Sequence, residues 1–181
     1  MKKVFLLLLG LIMFLSTSMM SYAGEVERWK STVLDVYIAK GPYYSIMNDA
    51  YYTWVAAANR NILFNVSGTK AMNKYAHIKI LFNQGQDGVT SITQNGINLP
   101  VVTINIQTNG LNNDQLRAKF LHYVGISIGL NNSSDKYSVM YKVPLNNQSI
   151  QYNDLLALYN LYNWNIPKRG LKIKSVGSYK K

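Results

Sequence analysis

The 181-residue sequence has no cysteine and only 8 acidic residues. Without cysteine the chain can build no disulfide framework, and no lipid-anchoring cysteine follows its N-terminal apolar segment. The acidic residues are outnumbered by 19 lysines and arginines, which gives a formal net charge of +11. This charge favours anionic surroundings such as cell-envelope polymers, lipid head groups or nucleic acid, without choosing between them. No nucleic-acid-binding motif is present, which favours a solvated basic surface.

The sequence also lacks an apolar run long enough to cross a membrane. The run Val4–Leu15 is shorter than the roughly 20 residues that span a bilayer, and no later segment approaches that length. It follows Lys2-Lys3 and precedes Ser21-Tyr22-Ala23, which offers small residues at both cleavage positions. We therefore predict that residues 1–23 are a signal peptide and that the mature chain is secreted or periplasmic. An uncleaved N-terminal anchor is the alternative.

The mature chain is predicted to form one domain, residues 24–164, followed by a basic tail, residues 165–181. From Lys168 onward the tail has six basic residues and no acid. A mobile solvated tail, a polyanion-binding segment and an added edge strand all fit this composition.

Apolar periodicity predicts strands alternating with helices. Alternating or β-branched residues predict strands, residues at helical spacing predict helices, and a Gly-, Asn- and Gln-rich stretch predicts a loop. Strands are expected at Thr32–Ala39, Ile62–Val66, His77–Phe82 and Val101–Gln107, helices at Tyr44–Asn59, Asn112–Gly129 and Gln151–Tyr162, and the loop at Asn83–Asn98.

The most informative stretch, Leu121–Asp135, reads L-H-Y-V-G-I-S-I-G-L-N-N-S-S-D and is followed by S-V-M-Y at Ser138–Tyr141. Zinc proteases use H-E-x-x-H, because residues four apart share a helix face, so two imidazoles can grip one metal beside a general-base Glu. The longer form, H-E-x-x-H-x-x-G-x-x-H, adds a glycine turn and a third histidine, with a methionine-containing turn downstream.

In that register, three of the four chemical positions are replaced. His122 takes the first histidine, whereas Tyr123 takes the glutamate, Ile126 the second histidine and Asn132 the third. Gly129 keeps the glycine at the turn.

From Leu121 to Tyr141 the chain therefore resembles the matrixins, zinc endopeptidases whose run reads like H-E-L-G-H-x-L-G-L-x-H-S-S-D followed by S-V-M-Y. Shorter signatures recur in the same order, so the likeness spans roughly Arg28 to Tyr162. They are Arg28-Trp29, Ala50-x-x-x-Trp54, the run Ala76–Phe82, Asp154-Leu155 and Leu161-Tyr162.

The resemblance implies an α+β fold of the metzincin or zincin type. This fold has a mixed, mostly parallel twisted sheet of about five strands, three helices and a Met-turn containing Met140. By the same resemblance, an extended peptide would lie in a cleft beside Leu99, Val139 and Tyr141. The edge strand of that cleft is expected within Asn95–Ile106.

The residues themselves argue against catalysis. A catalytic zinc has three protein ligands, so one histidine is not expected to retain the metal. Tyr123 cannot act as the base near neutral pH, because a phenol ionises near pH 10. Ile126 fills the ligand position with hydrocarbon, and Asn132 suits a turn cap better than a zinc ligand. His122 is either a weak residual ligand or a buried histidine bonded to a polar neighbour.

Three functional hypotheses follow. The first is a non-catalytic matrixin-like protein that needs no cofactor and binds an extracellular peptide or protein by strand addition. The second is an active zinc-dependent metalloendopeptidase with an atypical ligand set. The third is a cationic envelope or adhesion protein that binds polyanions.

Overall fold

A computed structural model describes residues 28–94, 100–143 and 148–167. The expected signal peptide and the tail beyond residue 167 lie outside these ranges, so the domain boundaries stay predictions. Among the described helices, none is both long and apolar enough to cross a membrane.

Five strands and four helices make up the described chain. The strands are β1 (Val33–Ile38), β2 (Leu63–Ser67), β3 (Ile78–Phe82), β4 (Gly88–Gln94) and β5 (Pro100–Ile106). The helices are α1 (Tyr44–Ala57), α2 (Lys70–Tyr75), α3 (Asn113–Ser127) and α4 (Tyr152–Leu161).

The strands form one mixed sheet in the order β2-β1-β3-β5-β4. All neighbouring pairs are parallel except β4 and β5, which are antiparallel. The register aligns Val36 with Ile78 and Ile78 with Val102 across the centre of the sheet. The predicted five-stranded, mostly parallel sheet is confirmed.

The core lies between one face of the sheet and the long helices. In β1 the alternate side chains Leu34, Val36 and Ile38 are fully buried, as expected for a two-residue period with one covered face. Trp54 of α1 and Phe120 of α3 belong to the same buried cluster.

Helix α3 packs against α1 through the apolar stripe that its sequence predicts. Leu116, Phe120 and Val124 are buried at helical spacing. The Trp54 indole N–H donates to the Leu121 carbonyl oxygen over 2.9 Å. This bond joins the two helices close to the motif.

Both ends of α3 follow from local sequence. The Asn112 side chain accepts from the Gln115 amide at 3.0 Å, and the Gln115 side chain accepts from the Asn112 amide at 2.9 Å. This reciprocal capping box satisfies two amides that lack helical partners. At the other end Gly129 adopts φ +93°, a left-handed conformation that favours glycine just beyond a helix. The predicted start and stop of this helix are confirmed.

The expected loop at Asn83–Asn98 is wrong in part, because β4 occupies Gly88–Gln94. Its flanking Gly, Asn and Gln residues suggest a loop, and the strand becomes evident only through its pairing with β5. The expected edge strand within Asn95–Ile106 is also wrong for the described part of that range, Pro100–Ile106. There β5 is paired on both sides, with β3 and β4, and β4 takes the edge.

A fourth helix, α2, was not predicted. It has only six residues, and the Thr69 hydroxyl caps it by accepting from the Met72 amide at 3.2 Å. None of its residues is buried. A helix this short and exposed leaves no apolar period in the sequence.

Candidate functional site

The motif lies on the last two turns of α3 and on the chain that folds back beneath them. After Gly129 the chain reverses direction, and the Leu130 amide donates to the Gly125 carbonyl at 3.0 Å. The Ser133 amide then donates to the Met140 carbonyl at 2.7 Å. The segment containing Asn132 is thereby joined to Ser138–Tyr141, hereafter the Met-turn.

His122 is buried beside the Met-turn, with 6% of its surface exposed. Its Nδ1 lies 2.9 Å from the Val139 carbonyl oxygen. A carbonyl only accepts, so Nδ1 carries the proton and Nε2 keeps its lone pair in the neutral ring. Burial lowers the pKa of His122, and the Val139 bond and the Asp87 charge oppose this shift only in part. A carbonyl commonly orients a metal-binding histidine in this way.

The other three positions of the motif offer neither imidazole nor carboxylate. Tyr123 is half-buried, and its ring meets that of His122 nearly edge-on, with centroids 5.4 Å apart. Ile126 packs against the core, and Asn132 is exposed.

The donor set does not fit a zinc ion. Within the described ranges, no three His, Cys, Asp or Glu side chains are grouped closely enough to hold a metal. The other histidine of the chain, His77, directly precedes β3. Its Nδ1 accepts from the amide of Asp35 in β1 at 3.0 Å.

The Met-turn packs directly under α3. Met140 is 1% exposed, and a Cβ atom built on Gly125 would lie 3.1 Å from Trp54 Cζ2 and even closer to Met140 Sδ. A Cβ atom that close to the Met140 sulfur essentially never occurs, so a larger residue at position 125 would force the Met140 side chain to shift. Glycine at this position permits the close approach of the methionine.

A buried carboxylate, not predicted from the sequence to belong to the site, secures the Met-turn. The Ser138 hydroxyl donates to Asp154 Oδ1 at 2.5 Å and accepts from the Met140 amide at 2.8 Å. Asp154 Oδ2 accepts from the Gln151 amide at 2.8 Å. Burial raises the pKa of Asp154, although these hydrogen bonds favour the carboxylate. An acidic residue on the apolar face of a short helix was the available signal.

The three expected cleft residues have different surroundings. Val139 has a fully buried side chain and turns its carbonyl oxygen to His122, whereas Tyr141 is half-buried. Leu99 lies outside the described residues. Sequence reasoning also missed Asp87 and Lys119, an ion pair whose charges act on His122.

The fold is similar to that of a solved metalloprotease. The structure of myroilysin, a metzincin-type metalloprotease, matches with a TM-score of 0.55 over 77% of this chain and 97% of that chain. The chain has a metzincin-like fold. The sequences are 15% identical, so this likeness concerns the fold alone. The sequence matches no family model, and no curated protein matches it.

We expect Gly125→Ala to lower the free energy of unfolding by about 1 to 3 kcal/mol, the usual cost of overpacking a core. Urea unfolding measures this change. In a Met140→Ala background the added methyl gains room, so its cost should be smaller. Equal costs in the two backgrounds would contradict the proposed clash.

Stability should fall in mild acid because of His122. Its pKa is lowered in the folded state, so the stabilisation is complete above the ordinary value of 6.5 and is lost as the pH falls through the folded pKa. His122→Asn can still donate to the Val139 carbonyl but does not titrate. Urea unfolding between pH 7.5 and 5 should therefore show a steeper loss for the unaltered chain. Parallel pH profiles would refute this assignment.

Proposed function

We propose that the chain is a non-catalytic, matrixin-like protein that acts outside the cytoplasm and binds an extended peptide segment of another protein. The peptide adds to the outer edge of β4. The observation that carries this proposal is the position of β4, which pairs with β5 on one side, is the last strand of the described sheet, and begins beside α3. Strand addition uses main-chain hydrogen bonds and requires no metal.

The composition of β4 supports a docking role. Proteins commonly protect exposed sheet edges with charged residues, proline or short strands. Here no charged residue occurs from Gly88 to Asn113, although the whole chain has a net charge of +11. At seven residues, β4 is also longer than β2, the five-residue strand at the opposite edge.

The motif supports binding without hydrolysis. Tyr123 stands where a general-base carboxylate would be, and the absence of such a group typically costs roughly 10² to 10⁴ in rate. Ile126 adds hydrocarbon at a ligand position, and His122 is the sole histidine of the register. The retained features, Gly125, Gly129 and Met140, determine packing and chain direction.

Binding can be tested with a fluorescein-labelled peptide in which threonine and valine alternate between terminal glutamates. We expect the mature chain to bind it and to protect the amides of residues 88–94 from hydrogen exchange. N-methylation of the central residues removes several hydrogen bonds of about 1 kcal/mol each. Affinity should therefore fall by more than about tenfold.

A peptide N-methylated only at its terminal glutamates is the matched control and should bind like the unmethylated peptide. No measurable binding by the unaltered chain would refute strand addition as a function. Protection confined to β2 would place the peptide at the opposite edge of the sheet and contradict binding at β4.

The purified mature chain should hold far less than one zinc per molecule and should not cleave peptides. Combining Tyr123→Glu, Ile126→His and Asn132→His should create zinc binding, because two histidines four residues apart face one metal on a helix. Metal analysis measures the zinc content, and adding His122→Asn to this variant should reduce it. Stoichiometric zinc with chelator-sensitive hydrolysis by the unaltered chain would establish the enzyme hypothesis instead.

A further inference from the structure

An ion pair joins the turn before β4 to helix α3. The Lys119 ammonium pairs with the Asp87 carboxylate and also donates to the Gln107 carbonyl oxygen at 2.8 Å. The Lys119 side chain is only 13% exposed and that of Asp87 is 34% exposed. The pair is thus partly shielded from solvent, where a charged contact is screened less than on an open surface.

Other hydrogen bonds tie the same turn to β5 and the residue after it. Asn105 accepts from the Gln84 amide at 2.9 Å and donates to the Gln86 carbonyl at 3.0 Å. The Gln107 amide donates to Asp87 Oδ1 at 3.1 Å. These bonds join the turn to the sheet, whereas the Lys119 ammonium joins it to the helix.

The ion pair lies where β4 begins, beside the motif. Lys119 and Tyr123 are four residues apart and therefore share a face of α3. A Cβ atom on Gly88, the first residue of β4, would lie 3.9 Å from the Tyr123 hydroxyl. Both charges of the pair also act electrostatically on His122. One helix face thus carries the motif and the anchor of the edge strand.

We propose that the Asp87–Lys119 ion pair is a positioning device that holds the start of β4 against α3 and so maintains the edge for an incoming peptide. This inference rests on the proposed function, because it assigns these residues a part in the same strand addition. Neither side chain needs to touch the peptide. Without the pair, the turn remains bonded to β5 but loses its charged link to the helix.

The test uses the threonine-valine peptide and compares affinity with stability. Lys119→Met should weaken peptide binding by about fivefold, within the range typical of coupling between distinct sites. Lys119→Arg keeps the charge and should stay within about twofold of the unaltered chain. Exchanging the charges by combining Asp87→Lys with Lys119→Asp should recover affinity relative to either single variant. This recovery would assign the effect to the contact between the two side chains, and urea unfolding of each variant separates it from a change in global stability.

Arg117→Met is the matched control, since it removes the same charge from an exposed position on the same helix. It should leave affinity unchanged, so a loss equal to that of Lys119→Met would assign the effect to net charge. If the unaltered chain binds the peptide and Lys119→Met binds equally well, the positioning role is overturned while the proposed function survives. If the unaltered chain does not bind, the proposed function itself fails.

Discussion

The close contact between α3 and the Met-turn is the constraint on which the site depends. Met140 occupies the space that a side chain at position 125 would need, and Trp54 closes the same space from α1. Because a packed interior tolerates little extra volume, the helix, the turn and α1 must keep their mutual distances. The His122 bond to the Val139 carbonyl and the Ser138 bond to Asp154 hold the turn from two further directions.

This arrangement holds the metalloprotease-like frame together through contacts between groups of the chain itself. Here the segment after the helix is tied to the turn by the Ser133 bond, the turn to α4 by Asp154, and the helix to the turn by methionine packing. Each of these contacts is either apolar packing or a hydrogen bond between two groups of the chain. The geometry of the frame and the chemistry of a metal site are therefore physically separable.

The edge strand is coupled to this frame through α3. Three contacts involve this helix. Met140 packs against Gly125, the Tyr123 hydroxyl lies near the start of β4, and the Lys119 ammonium pairs with Asp87. Because α3 packs against the core on one side and pairs with the turn before β4 on the other, it can hold the edge strand in place. In the proposed function, α3 thus acts as a support for peptide binding.

The sequence by itself determined features that depend on local order. The apolar spacing and the Asn112 cap define α3, Gly129 ends it, and Tyr123, Ile126 and Asn132 stand where the zinc-protease pattern has a glutamate and two histidines. Only the tertiary structure showed that β4 is the edge strand, that Asp87 pairs with Lys119 32 residues later, and that Asp154 is buried against Ser138. The physical reason is that helix periods and caps depend on residues close together in the sequence. A sheet edge, an ion pair or a buried carboxylate depends on partners that are distant in the chain.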